Sequence, residues 1–335
     1  MKRILLSISF LIACFIVQAQ DLHFSQFNWS YLNLNPALTG QFNGDYRFNA
    51  NFKNQWSSIA EPYQTFAFAA DANRPIDSYK PLNMGFVFYN DDAGVGGLQT
   101  TQASLSLSHG FGLNVDSSLQ VSVGTQIGLL SRSINFDVFS FDNQFNGARF
   151  NSDRPTGEDF DNNSLNHLLV NAGVAFNYLY ENRKTFNFGV ALFNLTGGNR
   201  SFQGTAASVD ERLTIHGGAD YFLSQKIDLL PSFIFSSQGP NRELLFGTNL
   251  RYRLSESSFF KRNIYGGVWY RNKDALILST GLDYNQWLVG VSYDINLSNL
   301  EIASNNRGGL ELSLTYIIKE FKPKIRRFKI CPKYL

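Results

Sequence analysis

The sequence predicts an all-β chain, a transmembrane antiparallel β-barrel of about 14 strands in an outer membrane. Three observations carry this expectation. An apolar run from Ile4 to Val17 follows Lys2 and Arg3 and ends in Val17-Gln18-Ala19, which reads as a cleavable export signal. No later segment reaches even a dozen consecutive apolar residues, so helical membrane spans are excluded. Strand-like alternation recurs throughout the rest, and its second face is built of Ser, Gly, Gln and Asn rather than Lys and Glu.

The signal comes first and sets the compartment. About fourteen apolar residues are short for a bilayer anchor and no stop-transfer pattern follows, so residues 1–19 are expected to be removed. Taking Lys2 and Arg3 from the 29 basic residues leaves 27 against 27 acidic ones, and the only cysteine left is Cys331. A single cysteine cannot form an internal disulfide framework, so stability must come from a core or a membrane. Six of the positive charges fall within 322–335, which leaves the preceding chain about six charges negative.

The strands follow in order. Between Ser118 and Leu130, Leu119, Val121, Val123, Thr125, Ile127 and Leu129 share one face, and Gln120, Ser122, Gly124, Gln126 and Gly128 share the other. The same dyad recurs at 103–108 and 310–316. Runs of this kind lie near 45–56, 63–72, 81–90, 99–111, 118–132, 167–181, 185–195, 212–223, 226–236, 242–254, 262–271, 274–284, 287–296 and 308–321. Runs of roughly ten residues, tilted by about 45°, cross an apolar band of about 25 Å. The three longest connections, about 133–166, 196–211 and 297–307, all follow odd-numbered runs, as external loops of such a barrel should. A soluble β-sandwich or propeller also alternates, but its polar face would carry more Lys and Glu. The 15% aromatic content, with Trp56, Tyr63, Tyr180, Trp269 and Tyr270 near strand ends, suits interfacial girdles.

The implied organisation is a signal over 1–19, a periplasmic or plug segment over 20–44, the barrel over 45–321 and a basic periplasmic tail over 322–335. In the second of these, "LNLNPALTG" (32–40) has the chemistry of one capped turn. Asn35 caps, Pro36 takes the first helical position and Gly40 closes it in the left-handed region. Docking at the periplasmic mouth, entry into the lumen and a plain linker all stay open.

Catalytic chemistry is hard to find. No G-x-S-x-G, H-E-x-x-H, C-x-x-C or P-loop pattern occurs, and His23, His109, His167 and His216 are scattered singly. No enzyme, cofactor or metal is expected. The acidic stretch 152–164, with Asp153, Glu158, Asp159 and Asp161, lacks the turn glycine of a calcium loop and reads as a solvated loop.

The two ends of the chain resemble the PorP/SprF membrane proteins of the type IX secretion system in Bacteroidota. The opening block is carried by "DLHFSQF" (21–27), "NLNPALTG" (33–40) and "RFNANFKNQWSSI" (47–59). The closing block is carried by "GVWYRNKDALI" (267–277), "VGVSYDINLSNL" (289–300), "GGLELSLTY" (308–316) and "CPKYL" (331–335). Phe52-Lys53 and Lys333 depart mildly from the family's usual Tyr-Arg and Arg, and about 135–240 carries no matching motif. The resemblance implies a non-enzymatic outer-membrane barrel that assists export or surface anchoring of a dedicated cargo protein, such as a gliding adhesin with a C-terminal type IX targeting domain. Other secretion components would then meet its periplasmic face, with outer-membrane lipid around it. The family pattern sits on Asn35, Pro36, Gly40, Gln55, Trp56, Tyr293, Asp294 and Cys331. The rival expectation is a passive porin or fatty-acid-type channel. With an even number of strands and a periplasmic N-terminus, the basic tail is periplasmic and out of reach of nucleic acid. It reads as an electrostatic dock, a lipid-headgroup contact or plain flanking sequence, with Cys331 free or cross-linked to another protein.

Overall fold

The computed structural model describes residues 23–55, 61–75, 82–94, 96–158, 162–181, 183–198, 201–202, 208–256, 261–298 and 307–319. Fourteen antiparallel strands close into a barrel, each pairing with its neighbours in sequence and β1 with β14. They are β1 (Tyr46–Gln55), β2 (Tyr63–Ala72), β3 (Leu82–Ala93), β4 (Leu98–Gly112), β5 (Leu119–Ser133), β6 (Ser164–Glu181) and β7 (Lys184–Phe193). The second half comprises β8 (Arg212–Phe222), β9 (Ile227–Gln238), β10 (Asn241–Glu256), β11 (Lys261–Arg271), β12 (Ala275–Tyr284), β13 (Trp287–Asn296) and β14 (Arg307–Ile318). Closure runs from Tyr46 opposite Ile318 to Gln55 opposite Gly309, so no open edge is left there.

The alternation read from the sequence decides which face points where. In β1, Arg47, Asn49, Asn51 and Lys53 are buried in the lumen while Phe48 faces out. The outward set, including Phe66, Phe86, Leu105, Ile127, Leu129, Phe176, Val268 and Leu312, forms an exposed apolar belt around the barrel. A soluble monomer does not leave such a belt bare; here lipid covers it. Trp269 and Tyr63 depart from the girdle expectation, Tyr63 sharing the inward face of β2 with Thr65 and Asp71. Trp269 is buried in the lumen, because its position on β11 has inward parity.

Connections of very different length separate the two mouths. Residues 134–163, 194–211 and 297–306 connect strands at one mouth, as expected, while the other has a two-residue turn at 285–286. Asn285 adopts φ +58°, the left-handed conformation that such tight hairpin turns require and that Asn tolerates.

The segment before β1 occupies the lumen. It comprises a 3-10 turn at Phe27–Trp29, one α-helical turn, α1 (Tyr31–Leu34), and a second 3-10 turn at Pro36–Leu38. Its direction follows from its partners. The Lys53 ammonium, near the long-connection end of β1, donates to His23 O at 2.9 Å, whereas Gly40 N donates to Asp71 near the short-connection end of β2. The described chain thus starts near the long-connection mouth, crosses the lumen and turns back into β1 at the other. The barrel's own two ends, Tyr46 and Ile318, lie side by side at that second mouth.

A membrane-impermeant thiol reagent tests this direction in a Cys331→Ser background. His23→Cys should label in intact cells, like Ala148→Cys in the 134–163 connection, and Asn43→Cys only after permeabilisation. Labelling of His23→Cys together with Asn43→Cys would overturn it.

Candidate functional site

The lumenal segment is held by side chains that the strands aim inward, and its own sequence explains its path. Asn35 caps the second 3-10 turn: its Oδ1 accepts from Ala37 N at 2.9 Å, and Pro36 fills the first helical position, where no N–H is needed. Gly40 ends the turn at φ +68°, and a Cβ there would collide with the Asn83 side chain. The three residues read as one capped turn form one, and the turn lies inside the barrel.

Several strand glycines make room for it. A Cβ on Gly290 would meet the Trp29 ring at 2.0 Å, and one on Gly124 would meet the Pro36 carbonyl at 2.5 Å. Apolar plug side chains find apolar inward residues. Phe27 and Leu34 pack with Leu245, Trp269, Ala275 and Ile277, Phe27 meeting Trp269 edge-on at 5.5 Å. Leu32 packs on Ala69 and Val87, and Phe24 on Ala67 and Tyr89. Each such side chain, fully buried, contributes about 1.5–3 kcal/mol.

Polar seats alternate with these. Near the long-connection mouth, Glu311 accepts from Ser25 N at 2.8 Å and Gln26 N at 2.9 Å. Ser25 Oγ donates to Asp294 Oδ2, and Arg271 donates both to Asp294 and to Ser25 Oγ. Gln26 is fully used: Nε2 donates to Ser292 Oγ and Glu311 O, and Oε1 accepts from Ser313 Oγ. His23 lies 3.7 Å from Glu243.

At mid-depth, backbone carbonyls of the segment serve as acceptors. Trp29 O takes Asn49 Nδ2 at 2.7 Å, and Leu32 O takes Gln126 Nε2 at 2.8 Å. Asn35 Nδ2 donates to Val174 O at 3.1 Å and lies 3.1 Å from His216 Nε2. Near the short-connection mouth, the buried pair Arg47–Asp71 clamps the segment. Asp71 accepts from Arg47 Nε at 2.9 Å, from its Nη2 at 2.7 Å, and from Gly40 N at 2.7 Å. Arg47 also donates to Leu38 O, and its guanidinium stacks over Tyr31 and Phe42. Thr39 O accepts from Ser108 Oγ and Asn83 Nδ2. On β9, Asp228 gathers Arg183, Arg251 and Arg253 at 2.6–2.9 Å and ties neighbouring strands together.

The eight residues singled out from the sequence divide. Asn35, Pro36 and Gly40 belong to the plug itself, and Asp294 holds its other end through Ser25. Gln55 stands at the long-connection end of β1, opposite Tyr63 and Gly309. Tyr293 points outward into the belt, 42% exposed, because it is one residue out of phase with Asp294. Trp56 and Cys331 lie outside the described residues, as do Asp159 and Asp161 of the acidic stretch. Sequence reading missed Arg47, Lys53, Asp71, Arg271 and Glu311. Their signal was a charge on the inward parity of a strand, where lipid on the other face keeps it inside and demands a partner. No His/Cys/Asp/Glu group suited to a metal occurs among the described residues.

The plug does not fill the lumen completely. Two cavities, of about 450 Å³ and about 260 Å³, lie toward the short-connection mouth and share Gln41, Gln120, Val121 and Asn177. Arg74 is the one charged side chain lining either cavity among the described residues. The chemistry of the interior is therefore positional. It binds a segment of its own chain and keeps two cavities beside it.

Comparison with known proteins places this architecture. Among solved structures, the Ralstonia pickettii toluene transporter TbuX superposes with a TM-score of 0.50 and 10% identity, over 86% of this chain and 92% of its own. The monoaromatic hydrocarbon channel CymD does so with a TM-score of 0.50 and 11% identity, over 91% and 95%. At such identities the likeness concerns the fold, that of an outer-membrane barrel. No curated protein matches the chain in sequence. The family model described as "Type IX secretion system membrane protein PorP/SprF" matches residues 16–316. With that match spanning most of the sequence, the chain belongs to the PorP/SprF family of type IX secretion system membrane proteins.

Proposed function

We propose that this protein is a non-enzymatic accessory of the type IX secretion system that assists export or cell-surface anchoring of one dedicated cargo protein, for example a gliding adhesin. The family match over residues 16–316 is the observation that carries this reading. In it, the cargo's C-terminal targeting domain meets the rim formed by residues 134–163, 194–211 and 297–306, and the short-connection rim and the tail 322–335 face other secretion components. The plug supports this division of labour. A lumen crossed by a buried segment with hydrogen-bonded seats at both ends and mid-depth is no conduit for a polypeptide. The work is then left to the surfaces at the two mouths. The alternative reading, a passive channel for small solutes, needs the same segment to be displaced.

Two expected outcomes separate these readings. Deletion of the gene should leave one or a few type IX cargo proteins trapped in the cell or shed into the medium, while bulk secretion continues. Surface proteomics of the deletion strain measures this, and unchanged display of every cargo would sink the proposal. In planar bilayers the wild-type barrel should conduct poorly. Asp71→Ala strips Arg47 and Gly40 of their acceptor, and Gly290→Val drives a methyl into Trp29. Loss of the buried partner in Asp71→Ala costs about 3–5 kcal/mol, so that variant should raise the open population by about two to three and a half orders of magnitude, and the clash in Gly290→Val should raise it too. High steady conductance of the wild type, unaltered by either change, would favour the channel.

A further inference from the structure

The connection between β5 and β6 carries five phenylalanines within fifteen residues, and the fold uses them unequally. At its base the connection is tied down. Asn135 N donates to Gly96 O at 3.0 Å in the β3–β4 turn, and Phe139 packs against Gly96. Phe136 meets Phe202 of the next long connection edge-on at 5.9 Å and tilts onto Phe139 at 6.5 Å. These rings consolidate the rim.

Beyond the base, residues 141–154 build a small hairpin of their own. Gln144, almost fully buried, accepts from Phe141 N through Oε1, and its Nε2 donates to Ser152 O and Arg154 O. Asn151 N donates to Gln144 O at 2.8 Å, and Asn146 N to Arg149 O at 3.1 Å. Asn146 Oδ1 accepts from Ala148 N and Arg149 N, which fixes the tip around Gly147 at φ +90°. Phe145 and Phe150 face each other across this hairpin as a bridge pair, yet remain 54% and 48% exposed. A scaffold of at least six hydrogen bonds therefore presents two bare aromatic rings at a fixed separation.

The surroundings say what could cover them. The hairpin stands beyond the strand ends at Ser133 and Ser164, outside the apolar belt. Over its described residues 134–158 the connection carries Asp137, Asp142, Asp153 and Glu158 against Arg149 and Arg154, a net charge of about minus two. That sign repels anionic lipid headgroups and attracts a basic surface. Rigid aromatic side chains are the residues that dominate protein interfaces when they enter a desolvated pocket.

We propose that the Phe145/Phe150 hairpin is the anchor through which the secreted cargo docks, entering an apolar pocket rimmed by Lys or Arg on the cargo's targeting domain. The inference rests on the cargo reading above and narrows it from three connections to one pair of rings. Cargo captured by this pair leaves the barrel interior untouched, consistent with a plug held at both ends.

The test replaces the chromosomal gene with the Phe145→Ser/Phe150→Ser variant, and separately with Phe145→Tyr/Phe150→Tyr. Barrel assembly is monitored by heat-modifiable migration and by the amount in the outer membrane, which neither variant should change. Surface display is scored by protease shaving of the protein whose display is lost on gene deletion. The serine variant should lower display at least tenfold, toward the level of the deletion. The tyrosine variant should retain most of it, and Asp142→Lys/Asp153→Lys should lower it. A photo-crosslinking residue at 150 should join the barrel to that secreted protein. Normal display with the serine variant, in a strain where deletion abolishes display, overturns the hairpin while leaving the cargo reading intact. Cross-linking only to lipopolysaccharide overturns it equally. Deletion without any display defect removes the cargo reading itself, and this inference with it.

Discussion

A barrel with lipid outside must keep its polar residues inside, and there each one needs a partner. Everything else in this molecule follows from how that demand is met. A buried polar group left without a partner costs about 1–3 kcal/mol. The inward faces here carry Arg47, Asn49, Lys53, Asp71, Gln126, Arg271, Asp294 and Glu311, which strand pairing alone cannot satisfy. Residues 23–41 meet part of that need. The segment brings amides to Glu311 and Asp71, and carbonyls to Asn49, Gln126, Lys53 and Arg47. Its irregular backbone is tolerable at membrane depth because it is enclosed by protein that supplies these partners.

The order of contacts along the plug couples its seating to closure of the barrel. Thr39 and Gly40 find Asn83, Ser106, Ser108 and Asp71 on the first four strands, so that end is fixed by residues nearby in sequence. Ser25 and Gln26 find Asp294, Ser292, Glu311 and Ser313 on the last two, more than 260 residues away. The plug's far end is therefore complete only when β13 and β14 are present, and β14 is the strand that closes the cylinder against β1. The glycines against which Trp29 packs, Gly281 on β12 and Gly290 on β13, belong to the same C-terminal part of the wall.

This asymmetry also explains what could be read from the sequence. Strand existence and approximate limits were legible for all fourteen runs, because lipid outside and polar residues inside impose a period of two that survives loop variation. Limits moved where a turn tightened: β3 extends through Asp91 and Asp92 to Ala93, and β6 begins at Ser164 inside the stretch read as loop. The turn around Asn35, Pro36 and Gly40 was legible because capping chemistry is local. Its partners were not. Nothing in the spacing says that Asn35 will meet His216, or that Gln26 will meet Glu311, since those contacts depend on register summed around the barrel. Trp269 shows the same limit from the other side. Near a strand end it suits a girdle by composition, but its parity aims it into the lumen against Phe27.

With the lumen crossed by a hydrogen-bonded segment of its own chain, the barrel presents two rims beyond it, and the rims are unequally equipped. The short-connection side offers tight turns and a vestibule lined by amides, with Arg74 as its charged lining residue. The long-connection side offers a connection that spends buried hydrogen bonds on its own internal order while part of its apolar surface stays uncovered. Order without burial is not a requirement of strand pairing, since two residues, 285–286, suffice to join β12 to β13. A loop that is folded yet bare has its conformational entropy cost already met before a partner arrives, which is the condition under which a small aromatic contact can hold a large protein.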